Sequence, residues 1–387
     1  MSPYRSVPSN PIRRRIILGA AGAALASPAL EVLAQSAATS RTADPIRLAQ
    51  LLDSSQDQQE ISRDYSTGVR LAVNDFNRTA RRRIQLVNFE SDGTAGSLKT
   101  IMQSVRKEPG LCAFIGTAGE RLSLDSIQAA RFEGLAISHL APWLSDSRFD
   151  NDRDVLPVFA TRELQIRYAM KSLEALGIAD IGLVYSNERE YASLHVGVDA
   201  AAQALKLRPV VYVPKGSETT ATIASRLPST SPAVLLFLGG TVELSQFAQG
   251  LSARKLQRYV ISLADIDVTT LVQLGVGRAV PLILTQVVPN PQNSNIPSVR
   301  EYRASLKAQF DETPSQISLA GYLAARYVLP IVARMERSPT RESVLAEFER
   351  RPSEDIGGFQ IGFNPTQRRG SSYVTQTMLT GDGRLVG

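Results

Sequence analysis

Few side chains in this 387-residue chain could contact or transform a small molecule. There are two histidines, His139 and His195, and one cysteine, Cys112. A single cysteine forms neither an intramolecular disulfide nor a cysteine-based zinc cluster, and two histidines leave little for a metal site or a histidine relay. No Gly-x-Ser-x-Gly elbow, Gly-x-x-x-x-Gly-Lys-Ser/Thr loop or His-Glu-x-x-His helix occurs. Gly116-Thr117-Ala118-Gly119 suggests a phosphate loop only superficially, because the lysine and the third glycine are missing. The sequence offers instead polar and aromatic residues just beyond short apolar runs. Thr117-Ala118-Gly119-Glu120-Arg121 follows one such run and opens a helical pattern, so the N–H groups of Gly119 and Glu120 are available to a ligand. Glu120 either meets that ligand or stabilises the helix dipole. Trp143, the single tryptophan, either walls the apolar end of a ligand or serves ordinary packing. His139, just before it, is expected to be a hydrogen-bonded structural residue. Gly239-Gly240-Thr241 closes another run with room for close backbone approach. Asp265 follows the run Tyr259–Leu263, as a ligand contact or as a cap.

Such loops need strands to hold them, and the chain alternates short β-rich runs with helical patterns. Strands are expected at Ile46–Leu52, Ile84–Phe89, Leu111–Ile115 and Leu135–Ser138, with helices at Tyr65–Asn77, Gly96–Val105 and Leu122–Phe132. An irregular, charge-rich stretch from His139 to Pro157 reads as a surface loop. The alternation then restarts, with strands at Ile181–Tyr185, Val210–Val213, Ala233–Leu238, Tyr259–Leu263 and Leu282–Leu284. Helices are expected near Tyr191–Leu205, Ala221–Arg226, Val242–Ala253 and Val268–Leu274. Three helical patterns follow, Val299–Phe310, Ser315–Met335 (kinked at Pro330) and Arg341–Phe348, and then a β-rich tail. Strands separated by helices imply right-handed crossovers and mainly parallel sheets. In open parallel sheets the ligand crevice lies beyond the strand C-termini.

Of the residues, 43% are hydrophobic, 21% charged and 6% aromatic, which excludes a disordered or collagen-like chain. The length exceeds what one core usually supports, so two lobes are expected. The net charge of +6 is concentrated at the front, where residues 1–34 hold four arginines against one acid. Arg13-Arg14-Arg15, the apolar run Ile16–Leu30 and Val32-Leu33-Ala34 follow the order of a secretory signal peptide, of either the Sec or the twin-arginine kind. Export follows. No later stretch approaches 18 uninterrupted apolar residues, so no stable membrane insertion is expected after signal removal. Arg81-Arg82-Arg83 has no interleaved aromatics and reads as a solvated edge, which argues against a nucleic-acid partner.

Several strings in this order resemble the type I periplasmic solute-binding proteins of ABC importers, in the leucine/isoleucine/valine-binding branch. They are the helix Gly68-Val69-Arg70-Leu71-Ala72-Val73-Asn74-Asp75-Phe76-Asn77, the strand end Phe114-Ile115-Gly116, and the closing segment Gly358-Phe359-Gln360-Ile361-Gly362-Phe363-Asn364 with Gly370. The resemblance runs from about Ile46 to Leu379. It implies an α/β fold of two Rossmann-like lobes, residues 44–160 with 287–363 and residues 161–286 with 364–387. Three hinge crossings would fall near Thr161, near Gln286 and at Asn364 to Gly370. The implied ligand contacts are Thr117, Gly119 and Glu120 for a carboxylate, then Ala141, Pro142 and Trp143 in the next loop. In the second lobe they are Tyr191, Thr241, and Asp265 for an ammonium group. Two departures stand out: Glu120 occupies a position often held by serine, and Phe159-Ala160-Thr161 replaces Phe-Arg-Thr. The implied function is capture of an amino acid, amide, or organic or aromatic acid by hinge closure and delivery to an inner-membrane ABC permease, without cofactor or catalysis. The alternatives are a ligand sensor or envelope accessory on the same fold, and an exported α/β enzyme.

Overall fold

The computed structural model describes residues 44–56, 58–349, 351, 353–363 and 368–387. The expected signal segment and residues 364–367 of the third crossing lie outside the described residues. The first half builds β1 (Ile46–Asp53), α1 (Gln59–Asn77), β2 (Ile84–Ser91), α2 (Ala95–Arg106), β3 (Leu111–Ile115), α3 (Glu120–Phe132), β4 (Ser138–Leu140) and β5 (Val155–Leu156). Next come α4 (Arg162–Ala175), β6 (Asp180–Tyr185), α5 (Glu188–Ala204), β7 (Arg208–Tyr212), α6 (Thr220–Arg226), β8 (Val234–Leu238), α7 (Thr241–Ala253) and β9 (Tyr259–Ser262). The chain continues through α8 (Val268–Gln273), α9 (Val276–Ala279), β10 (Leu282–Gln286), α10 (Pro297–Gln309), α11 (Gln316–Ala333) and α12 (Val344–Glu349). It closes with the short pair β11 (Glu354–Asp355) and β12 (Gln360–Ile361), then β13 (Thr375–Leu379) and β14 (Leu385–Val386).

Two large sheets result, each the centre of a lobe. The first is wholly parallel, in the order β2-β1-β3-β4-β5. The second runs β7-β6-β8-β9-β10-β13-β14, parallel as far as β10, with β13 and β14 added antiparallel at the edge. Both reverse their winding once, between β1 and β3 in lobe 1 and between β6 and β8 in lobe 2. Loops leaving the strands on either side of such a reversal diverge and open a crevice.

In lobe 1, α1 and α11 cross closely beneath the sheet, because each carries a glycine at the contact. A Cβ on Gly68 would stand 1.8 Å from the Ser318 carbonyl oxygen, and one on Gly321 would stand 2.2 Å from that of Tyr65. The glycine in the first resemblance string therefore has a packing reason. Helix α11 is long and apolar enough to cross a membrane, but its side chains form the lobe 1 core with Tyr65, Val69 and Ile115. Pro330 lies within its final turn.

Three of the differences from the sequence reading concern the lobe 1 sheet edge and the start of lobe 2. The fourth strand begins at Ser138 rather than Leu135, because Leu135 N–H bonds back to the Ala130 carbonyl around Gly134 (φ +61°) and so belongs to the helix terminus. Val155–Leu156, read as loop, pairs with β4 as the sheet edge. Helix α4 was not anticipated. Thr161 caps it by accepting the Leu164 N–H, but the buried Gln165 interrupts its apolar stripe.

Candidate functional site

A cavity of about 450 Å³ lies between the lobes, lined by loops beyond the strands of both sheets. From lobe 1 come Gln58 after β1, Glu120 and Arg121 after β3, and Trp143 and Ser145 after β4. From lobe 2 come Ser186, Asn187 and Glu190 after β6, Gly239 to Glu243 after β8, and Asp265 after β9. The site therefore sits over both winding reversals. Arg162, at the start of α4, completes it.

Arg162 organises the charges. Its Nε donates to Asp265 Oδ2 at 3.1 Å, its Nη1 to Glu190 Oε1 at 2.7 Å, and its Nη2 lies 2.7 Å from Glu120 Oε2. One guanidinium thus binds two carboxylates of its own lobe and one across the cleft. The Arg162 N–H donates to the Ser145 carbonyl at 3.1 Å, and Ser145 Oγ reaches Asp265 Oδ2 at 3.2 Å. Burial lowers the proton affinity of the guanidinium, but Asp265, Glu120 and Glu190 outweigh it and hold Arg162 above its ordinary range. Burial pushes the Glu120 carboxyl up to about 7. Arg162 opposes the shift, while Asp265, Asp146 and Glu190 add to it.

Backbone geometry places each group. Gly119 holds φ +90°, a conformation unfavourable to any residue with a Cβ, and so starts α3 with Glu120 at the cavity edge. Asn187 caps α5 by accepting the Glu190 N–H at 2.9 Å, which fixes Glu190 in the first turn. Thr241 Oγ1 accepts the Asp267 N–H at 3.0 Å, and Gln165 Oε1 accepts the Ala264 N–H at 2.8 Å. Gln316 Nε2, from α11 of lobe 1, donates to the Ala264 carbonyl at 2.8 Å. Asp265 is thus carried on a loop anchored on both sides. Trp143 forms the apolar wall, with its ring 5.7 Å from Tyr65 and 5.5 Å from Phe159 between centroids.

The sequence profile of the periplasmic binding proteins matches residues 45–384. This chain belongs to that family. No curated protein matches it. Among solved structures, this periplasmic binding protein is similar to a possible leucine/isoleucine/valine-binding protein from Rhodopirellula baltica SH 1, with 19% identity and a TM-score of 0.76, over 90% of this chain and 98% of that one. A substrate-binding periplasmic protein from Ralstonia solanacearum is 22% identical at a TM-score of 0.76, over 88% and 99%. The branched-chain amino acid transporter substrate-binding protein LivJ from Streptococcus pneumoniae, in complex with isoleucine, is 12% identical at 0.71, over 89% and 98%. At these identities the likeness is one of fold: the two-lobed α/β architecture of ABC substrate-binding proteins.

Of the residues singled out from the sequence, Glu120, Trp143, Thr241 and Asp265 line the cavity of this periplasmic binding protein. Thr117, Gly119, Ala141 and Pro142 are buried and are not among the lining residues. Thr117 gives its carbonyl to the Trp143 N–H at 2.8 Å, and Ala141 gives its carbonyl to the Tyr65 hydroxyl at 2.9 Å. Tyr191 packs edge-on against Tyr185 at 5.1 Å and stacks on His195 at 4.7 Å, within lobe 2. His139 is structural but not hydrogen-bonded as expected. Neither ring nitrogen has a partner among the described residues, the ring stacks on Phe114 at 5.0 Å, and burial pushes its pKa down to about 3. The sequence reading missed Arg162, Glu190, Ser145 and Gln165. Arg162 had one signal, as an arginine directly after the helix-capping Thr161, one place past the Phe-x-Thr string that lacks its own arginine.

Proposed function

We propose that this chain is the periplasmic substrate-binding component of an ABC importer. The lobes, 44–160 with 287–363 and 161–286 with 364–387, close over one small organic solute, and the closed form is handed to an inner-membrane permease. Its action is binding and hinge motion without chemistry. The observation carrying this reading is the interlobe cavity, which draws charged groups from helix starts of both lobes and is bridged by Arg162 and Glu120. Polar contacts across a cleft can be exchanged for contacts to a ligand, and the exchange is reported as a change of lobe angle.

The test is a melting-temperature screen of the protein against amino acids, amides, amines and short or aromatic acids, with chemical analysis of each mixture afterwards. Saturable stabilisation by one solute that is recovered unchanged is the expected result. Conversion of the solute to product would place the protein among exported enzymes instead.

A further inference from the structure

The charges in the cleft narrow the solute, provided that the solute-binding reading holds. Four acids, Glu120, Glu190, Glu243 and Asp265, line the cavity against two arginines, Arg121 and Arg162. Arg162 is already engaged by three of those acids, each through a single oxygen: Glu120 Oε2, Glu190 Oε1 and Asp265 Oδ2. The second oxygen of each carboxylate, Glu120 Oε1, Glu190 Oε2 and Asp265 Oδ1, receives no hydrogen bond from any described residue. These are strong acceptors without donors, placed around one cavity from both lobes.

The strongest anion-binding group of the site, the Arg162 guanidinium, is already taken by three carboxylates, while Arg121 at the cavity edge has no ion pair among the described residues. A helix N-terminus ordinarily favours an anion, but at α3 Glu120 is itself the anion of the first turn and is paired with Arg162. A carboxylate seeking Arg162 would have to displace Glu120, Glu190 or Asp265 from the guanidinium and then sit beside the displaced charge, and one seeking Arg121 would sit against the four acids of the same cavity. An incoming cation meets surplus negative charge and unused acceptors. Trp143 beside them offers an aromatic face that suits a cationic head or a short aliphatic stem.

We propose that the cleft selects a small organic cation, an amine, amidinium or guanidinium on a short stem without a carboxylate, held by the free oxygens of Glu120, Glu190 and Asp265. The solute then completes the charge balance that Arg162 leaves unfinished, and it does so across both lobes.

Agmatine and arginine make a matched pair of probes, since they differ by the α-carboxylate alone. Titration calorimetry of the full protein at neutral pH compares them, with putrescine, leucine and benzoate alongside. The expected result is saturable binding of agmatine or putrescine, agmatine at least about tenfold tighter than arginine, and no binding of leucine or benzoate. Added salt should weaken the cation, and Asp265→Asn should weaken it by about tenfold while the unliganded melting temperature reports whether the variant is folded. Arginine binding as tightly as agmatine, or leucine or benzoate binding in preference to both cations, overturns the inference and leaves the solute-binding reading intact. Silence of both cations to roughly 10 mM also overturns it. The broader reading falls only if the full solute screen is silent as well.

Discussion

The two lobes meet the same cavity with different materials. Lobe 1 presents a preformed ledge: Trp143 packed against Tyr65 and Phe159, a helix started by Gly119 at φ +90°, and one carboxylate, Glu120. Lobe 2 presents charge: Arg162 and Glu190 on helix starts and Asp265 on an anchored loop, joined in one network. The ledge is held by apolar packing and is indifferent to ligand. The network is held by ion pairs that a polar solute can exchange. The difference assigns shape to lobe 1 and charge recognition to lobe 2, and the Arg162–Glu120 ion pair couples them together with the Ser145–Asp265 and Gln316–Ala264 hydrogen bonds.

This contrast can be tested by breaking each side in turn. Trp143→Ala should have the largest effect, costing about 3–5 kcal/mol of stability through the lost packing of a buried aromatic, measured by denaturant unfolding. Arg162→Ala should cost about 3 kcal/mol, because Glu120, Glu190 and Asp265 are left facing one another without a counter-charge. The same change should raise the radius of gyration in small-angle scattering, whereas Trp143→Ala should leave the lobe separation unaltered.

The third prediction concerns pH. The Glu120 carboxyl stands at about 7 in the folded chain against an ordinary 4.5. Because the folded value is the higher, its contribution to stability is complete below pH 4.5 and is lost as pH rises through about 7. The groups acting on Glu120 are Arg162, Asp265, Asp146, Glu190 and Arg148. His139 works in the opposite sense: held at about 3 against an ordinary 6.5, it contributes fully above pH 6.5, and that contribution is lost as pH falls towards 3. Glu120→Gln should therefore abolish the part of the native stability that grows between pH 8 and pH 5, an effect on the order of 1–3 kcal/mol in paired melting curves. The acid-side loss due to His139 should persist in the variant. The smallest effect is expected from Gly119→Ala, about 1–2 kcal/mol from backbone strain at φ +90°, since the new Cβ would come no closer than 3.4 Å to Gln58.

The fold was legible in the sequence wherever local pattern and tertiary role agreed. The five-residue run Leu111–Ile115 is wholly buried and is a strand at those limits. Gly68 was legible through the family string, and the structure supplies its reason, a close helix-to-helix contact. Legibility failed where tertiary context decided. Val155–Leu156 is too short to announce itself and becomes a strand only because β4 lies beside it. Leu135 looks like a strand start but serves the end of α3. The site was half legible: Glu120, Trp143, Thr241 and Asp265 follow strands, and position alone draws notice to them. Arg162, Glu190 and Ser145 belong to a network spanning 145 positions of chain from Glu120 to Asp265, and only folding brings those charges together. The replaced arginine of the Phe-x-Thr string shows the same limit. Ala160 is buried in the core, and the guanidinium that enters the cleft comes from two residues later.

The central claim is that solute enters the interlobe cavity, and the single tryptophan lies in its wall. Fluorescence of Trp143, excited where tyrosine does not contribute, during titration with the solute that most stabilises the protein, measures occupancy of that cavity directly. The account predicts a saturable spectral change whose midpoint matches the calorimetric affinity and which Asp265→Asn shifts to higher concentration. A solute that raises the melting temperature yet leaves the Trp143 spectrum unaltered at saturation would be bound elsewhere and would contradict the account.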